Sequence, residues 1–178
     1  MILITTSKEP TQRVNSLVRD LSHSIPNAKI LRRGKRSTRE LPKYLVAEGC
    51  DRLTIIHRWH GGPGRIEFYK LIEGKLAAHY PIIMLRGTRL RREYNRKGRS
   101  EVRGITCGDG DYASALAASL SDFLQIPRED SNPGVSLHIS KSEDGHLRIA
   151  VTDLSSLEEI GPSMVVDRLV WQEKEVKS

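Results

Sequence analysis

Two groups of cations carry the most chemistry in this chain. Lys29, Arg32, Arg33, Lys35, Arg36 and Arg39 form the first, with no acidic residue among them. Arg86, Arg89, Arg91, Arg92, Arg96, Lys97, Arg99 and Arg103 form the second. Arg outnumbers Lys 19 to 10, and guanidinium groups grip phosphate oxygens as rigid forks. Several such contacts together release counterions and give strong, salt-sensitive binding to a polyanion. Gly34 and Gly98, one in each group, let backbone approach an anion closely. One cluster alone reads as a solvated surface. Two in one half of the chain point to nucleic acid.

The charge is divided unevenly. Residues 1–104 hold 23 Lys and Arg against 9 Asp and Glu, a net of +14, whereas residues 105–178 hold 6 against 13, a net of −7. The basic half should attract a polyanion, and the acidic half should repel it or face a basic partner. There is no C2H2 pattern, basic zipper, RNP1 run or clean helix-turn-helix. Aromatic residues are only 5% of the chain, which argues mildly against a base-stacking platform.

Other motifs fail on spacing. Gly61-Gly62-Pro63-Gly64-Arg65 lacks Gly-Lys-Ser/Thr and runs into a strand, so a hairpin turn outweighs a phosphate loop. His57 and His60 fall on opposite faces of a strand, which suits no single metal ion. Asp109-Gly110-Asp111 has no Glu at the twelfth position of a calcium loop and reads as a helix cap. Cys50 and Cys107 form no C-x-x-C pair and read as small buried side chains. The expectation is therefore no catalytic set, no metal site and no cofactor. No segment approaches the roughly 18 uncharged apolar residues of a membrane span, so a cytoplasmic protein is expected.

The elements that position these residues alternate. Ile2–Thr6 reads as a strand. A helix follows through Val14, Leu17, Val18, Leu21 and Ile25, with Pro10 in its first turn and Ser7 or Glu9 as its cap. Ala28–Leu31 reads as a strand, and a second helix runs through Leu41, Tyr44 and Leu45 behind a Ser37/Glu40 capping box. Pro42 requires either a start near Leu41 or an irregular first turn. Strands are expected at Leu53–Trp59, Arg65–Leu71 and Leu76–Leu85, then an exposed linker over 86–103. A run at Val102–Cys107, a helix through Leu116, Leu120 and Leu124, and strands at Val135–Ser140, His146–Thr152 and Met164–Trp171 follow, with a frayed tail at Lys174–Ser178. The fold class is α/β with mixed sheets. The two halves have similar make-up, which allows an old duplication, though no repeat is visible at fixed period.

The stretch Ile4-Thr5-Thr6-Ser7-Lys8-Glu9-Pro10-Thr11-Gln12-Arg13 resembles the opening of the Brix-domain proteins. So do Pro26-Asn27, Arg33-Gly34-Lys35 with Ser37, Glu40-Leu41, the strand–Gly62-Pro63–strand unit, and Glu159-Ile160-Gly161-Pro162. The resemblance is strongest over residues 2–71, and the size is similar to that of single-domain archaeal members of the Imp4 branch. It implies one Brix domain over 1–178, with halves at about 1–85 and 104–178 joined by the linker. Each half is expected to resemble the anticodon-binding domain of class IIa aminoacyl-tRNA synthetases. It also implies a role in ribosome biogenesis with ribosomal RNA or its precursor as partner. Ser7, Lys8 and Arg13 match the opening motif, and Arg33, Gly34 and Lys35 the next one. Eukaryotic members carry a sigma-factor-like basic motif in the second half, and here that half is acidic. RNA contact is therefore expected from Lys8 and Arg13, from Arg32, Arg33, Lys35, Arg36 and Arg39 of the first cluster, and from Arg86, Arg89, Arg91, Arg92, Arg96, Lys97 and Arg99 of the second. The alternative is a protein-interaction module whose acidic half docks a basic ribosomal or assembly protein.

Overall fold

The computed structural model describes residues 1–95, 100–129 and 134–172. Arg96, Lys97, Arg99, Gly98 and the expected tail at Lys174–Ser178 lie outside them.

Ile2–Thr6 forms β1, every residue of it buried. It is buried because it pairs on both edges and is covered on both faces. Side chains alternate across it: Ile2 and Ile4 pack with Val14, Leu17, Val18 and Leu21 of α1 (Gln12–Ser24), whereas Leu3 packs with Leu41 and Leu45 of α2 (Leu41–Ala47). The α1 cap is neither Ser7 nor Glu9. Thr11 Oγ1 accepts the Val14 N–H at 3.3 Å, because Glu9 turns into the left-handed region (φ 53°) and delays the helix. The Ser37/Glu40 box is present, closing a short 3-10 turn, and α2 then starts at Leu41 with Pro42 in its first turn.

The strands β2 (Ala28–Ile30), β3 (Arg52–Trp59), β4 (Gly62–Ile72) and β5 (Lys75–Arg89) complete the first half. The second half holds β6 (Gly104–Cys107), α3 (Asp111–Leu124), β7 (Val135–Lys141), β8 (Leu147–Asp153) and β9 (Glu158–Val170). Among the described residues all nine strands join one sheet, in the order β2-β1-β3-β4-β5-β9-β8-β7-β6. Several expectations need correction. The segment 86–103 does not begin as an exposed loop: Arg86 and Arg89 lie in β5, Leu90 is fully buried, and Arg91–Glu93 make a 3-10 turn. Gly62-Pro63-Gly64 belongs to β4, leaving His60-Gly61 as the turn. Asp109 does not cap α3, whose N-cap is Gly110. Cys50 is buried as expected, but Cys107 is only half-buried.

The sheet repeats itself about the β5–β9 pair. In the first half β1 pairs β3 in parallel, then β4 and β5 follow antiparallel; in the second, β6, β7, β8 and β9 do the same. Ile56, Ile66 and Ile83 lie side by side across β3, β4 and β5, and Ile139, Ile149 and Met164 hold the matching places across β7, β8 and β9. The two cis peptides, Tyr80–Pro81 and Gly161–Pro162, also correspond. Leu85 and Val166, equivalent in this scheme, pair with each other, so the pseudo-twofold axis passes between them. The Val14, Leu17, Val18 and Leu21 stripe of α1 is matched by Ala113, Leu116, Ala117 and Leu120 of α3. The duplication that composition merely allowed is therefore visible in the strand pairing.

Each of these helices also reaches the opposite half: α1 packs partly on β9, and α3 on β5. Phe123 of α3 meets Phe68 of β4 edge-on at 4.9 Å, and Asp122 takes the Lys70 ammonium at 2.6 Å. One apolar core spans both halves. Phe123→Ala should cost about 3–5 kcal/mol by opening a cavity in that shared core. Unfolding followed at Trp59 and at Trp171, each as the sole tryptophan, should then shift to the same lower midpoint.

Candidate nucleic-acid interface

The opening motif and the basic turn meet at the ends of β1 and β3. Arg33 is their junction. It is 6% exposed, and its guanidinium is committed inward: Nε donates to Arg36 O at 2.7 Å, Nη2 to Thr38 Oγ1 at 2.9 Å and Nη1 to Thr6 O at 3.5 Å. Burial lowers its pKa from the ordinary arginine value. Arg33 thus fastens the end of β1 to the loop before α2 and is not a surface contact. Arg36 is half-committed, donating to Arg32 O and lying over the Tyr44 ring at 4.6 Å. Lys8, Arg32, Lys35 and Arg39 are exposed and form no ion pair with a described carboxylate. Lys29 pairs with Glu48 at 3.3 Å.

Beside this junction lies a hollow of about 250 Å³ lined by Ser7, Lys8, Arg33, Ser37, His57 and Glu67. Its floor is a buried carboxylate. Glu67 accepts from His57 Nε2 at 2.7 Å, from the Tyr69 hydroxyl at 3.0 Å and from Arg65. Burial, together with Arg65 and Arg33, lowers the pKa of His57 to about 4, so at neutral pH its ring is uncharged and donates Nε2–H to Glu67. His57 also borders a second hollow of about 450 Å³, with Arg58, Trp59, Arg65, Met84 and Arg168. Trp59 in turn borders a third of about 720 Å³, with Arg13, His60, Arg86 and Gly87. Three adjoining hollows therefore run from Lys8 to Arg86 through shared walls at His57 and Trp59.

Among the described residues of the second cluster, Arg86, Arg89 and Arg92 use their side chains to hold the chain together. Arg13 Nη2 donates to Thr88 O at 2.7 Å and pairs with Glu93 at 2.9 Å. Arg89 donates to Glu93 O at 2.8 Å and lies over the Tyr94 ring at 4.1 Å; Arg92 donates to Ser16 Oγ at 3.2 Å. The Arg91 N–H goes to Asp20 Oδ2 at 2.9 Å. Arg86 contacts His146 across the β5–β9 pair. These contacts clamp the 3-10 turn onto α1. No described hydrogen bond or hollow joins Arg89, Arg91 and Arg92 to the Arg32–Arg39 turn. Sequence reasoning missed Arg58, Trp59, Arg65 and the His57–Glu67 pair. The available signal was the exposed end of a strand, where Arg58, Trp59 and Arg65 flank a glycine-rich hairpin.

This two-halved, single-sheet α/β fold is that of known archaeal proteins. It superposes on the crystal structure of a probable ribosomal biogenesis protein from Aeropyrum pernix with a TM-score of 0.76 and 24% identity, covering 97% of both chains. It also superposes on Mil, an archaeal Imp4-like protein, with a TM-score of 0.67 and 18% identity, covering 96% of this chain and 99% of that one. No family model matches the chain. In sequence it is homologous to the archaeal Brix-domain proteins: a Pyrococcus horikoshii protein named "Probable Brix domain-containing ribosomal biogenesis protein" is 38% identical over 103 residues. That alignment takes in 58% of this chain and 46% of the relative, so the chain spans about half the length of the curated relatives it matches. The resemblance drawn from the opening and turn motifs is borne out.

Two measurements check this geometry. Arg33→Ala should lose about 2–3 kcal/mol of stability in denaturant unfolding, whereas Arg32→Ala should change it by less than about 0.5. For His57, the unfolded chain takes up a proton near pH 6.5 while the folded chain resists to about 4. Its stabilising effect is thus complete above about 6.5 and is lost as pH falls to about 4. The His57 ring proton should titrate near 4 by NMR, and a midpoint near 6.5 would contradict the buried pair.

Proposed function

We propose that this chain is a non-catalytic RNA-binding assembly factor in ribosome biogenesis, acting in the cytoplasm on ribosomal RNA or its precursor. The observation that carries this reading is the cation-lined margin of the first half. Lys8, Arg32, Lys35 and Arg39 stand exposed, and among the described residues none of them forms an ion pair, although Lys8 lies in the field of Glu40; three adjoining hollows edged by arginines lie next to them. Unpaired surface cations at close spacing are an anion-binding surface, since each gains a phosphate without first losing a carboxylate. The names of the relatives support the ribosomal context. Among the described residues no helix is long and apolar enough to cross a membrane.

In this reading the chain is one domain whose halves, about 1–85 and 104–178, each adopt the anticodon-binding arrangement of class IIa synthetases. The first half holds the RNA. Arg33 and Arg13 serve the site from behind, by shaping the turn and seating α1. The exposed cations make the phosphate contacts.

The test is salt dependence. Binding of a pre-rRNA fragment should weaken steeply with salt, the slope of log K against log salt growing by about 0.7–0.9 per phosphate contact. Arg32→Glu with Lys35→Glu should lower affinity and flatten that slope. Unchanged affinity at low salt would remove this surface from the reading.

A further inference from the structure

Trp59 stands at the end of β3 with 68% of its surface exposed, in the middle of the basic half. The pseudo-twofold axis shows that the fold does not need it there. The matching turn in the second half, after β7, places Ser142 where Trp59 stands, and closes with Ser142 and Asp144 bonded to each other. Arg86 is matched there by Asp167, and Arg13 by Tyr112. Trp171 of the second half is also exposed, but less so, at 39%, and its hollow holds one arginine, Arg168, whereas five line the two hollows beside Trp59.

The indole is also held in place. Gly64 lies so close behind it that a Cβ there would sit 2.1 Å from the Trp59 Cβ. His60, in the left-handed region (φ 46°), stands edge-on to the ring with centroids 4.6 Å apart. Among the described residues no guanidinium stacks on the indole, although Arg36 and Arg89 stack on tyrosines elsewhere. Arg58, Arg65 and Arg168 line the hollow on one side, Arg13 and Arg86 the hollow on the other. Asp167 is the one carboxylate lining both. A carboxylate can only accept, which suits the amino edge of a base and not a phosphate.

An exposed indole that meets only His60 edge-on and is flanked by guanidinium forks fits a base that stacks while its neighbouring phosphates are gripped. We propose that Trp59 is the stacking platform for an unpaired base of single-stranded RNA, with Arg86 and Arg58 on the flanking phosphates, Arg58 exchanging its exposed 3.8 Å pairing with Glu9 for a phosphate. This rests on the RNA-binding reading above and narrows it: the RNA at this point is unpaired, because a base inside a duplex has no free face.

The experiment compares a short unstructured RNA with a duplex of the same sequence at fixed salt, using wild type, Trp59→Ala, Trp59→Phe and the Arg32→Glu/Lys35→Glu protein. Trp59→Ala should weaken single-strand binding roughly ten- to a hundredfold, with the salt slope unchanged and duplex binding unaltered. Trp59→Phe should retain most of the affinity, which separates stacking from misfolding. In Trp171→Phe protein, where Trp59 is the sole tryptophan, the single strand should quench the fluorescence. If Trp59→Ala binds the single strand like wild type while Arg32→Glu/Lys35→Glu does not, stacking is wrong and the RNA-binding reading stands. An equal loss on single strand and duplex likewise overturns the stacking. If wild type binds neither RNA, both readings fall.

Discussion

The antiparallel pairing of β5 with β9 is the constraint on which the rest depends. It converts two open half-sheets into one, and it brings α1 over β9 and α3 over β5, so that neither half can close its core alone. Burying β5 and β9 against one another also removes the two strand edges most exposed to mispairing. The clamp of Arg13, Glu93 and Thr88 then seats the start of α1 against the end of β5. The hollow beside Trp59 exists because that clamp and the β3–β4 turn stand on opposite sides of it.

Local pattern was enough for the elements of this fold and not for how they are shared. The stripe Val14, Leu17, Val18 and Leu21 announces an amphipathic helix, and its burial follows. The Ser37/Glu40 box and Leu41 start were legible because capping is a matter of adjacent residues. The repeat was hidden because it lives in strand register: Ile56 and Ile139 are equivalent by what they pair with, and nothing in their neighbours says so. The continuation of β5 through Arg89 was obscured by its charges, which read as a loop until β9 is seen beside it. The same limit applied to the margin itself. Composition announced basic residues, but not which of them face inward. Arg33 and Lys35 are two positions apart, one buried and one exposed, and the carbonyls of Arg36 and Thr6 with the hydroxyl of Thr38 decide between them.

The arginines thus divide into those with their donors already bonded and those with donors to offer. A guanidinium whose forks are taken by Thr88 O and Glu93 fixes backbone, and it lends a ligand only what is left of its field. Exposed cations have their donors free for a ligand, in a field that water and salt screen. The buried Glu67, which lines its hollow, is held by His57 and Tyr69 and has its negative charge offset by the Arg65 guanidinium.

The pseudo-twofold axis between Leu85 and Val166 has one more consequence. A frame with such an axis offers a ligand two equivalent ways to lie across it, head-first or reversed. Here the central strands read nearly the same from either end, while the charge, +14 on one side of the chain and −7 on the other, and the Trp59 indole do not. The two directions are therefore told apart by side chains carried on a frame that repeats itself.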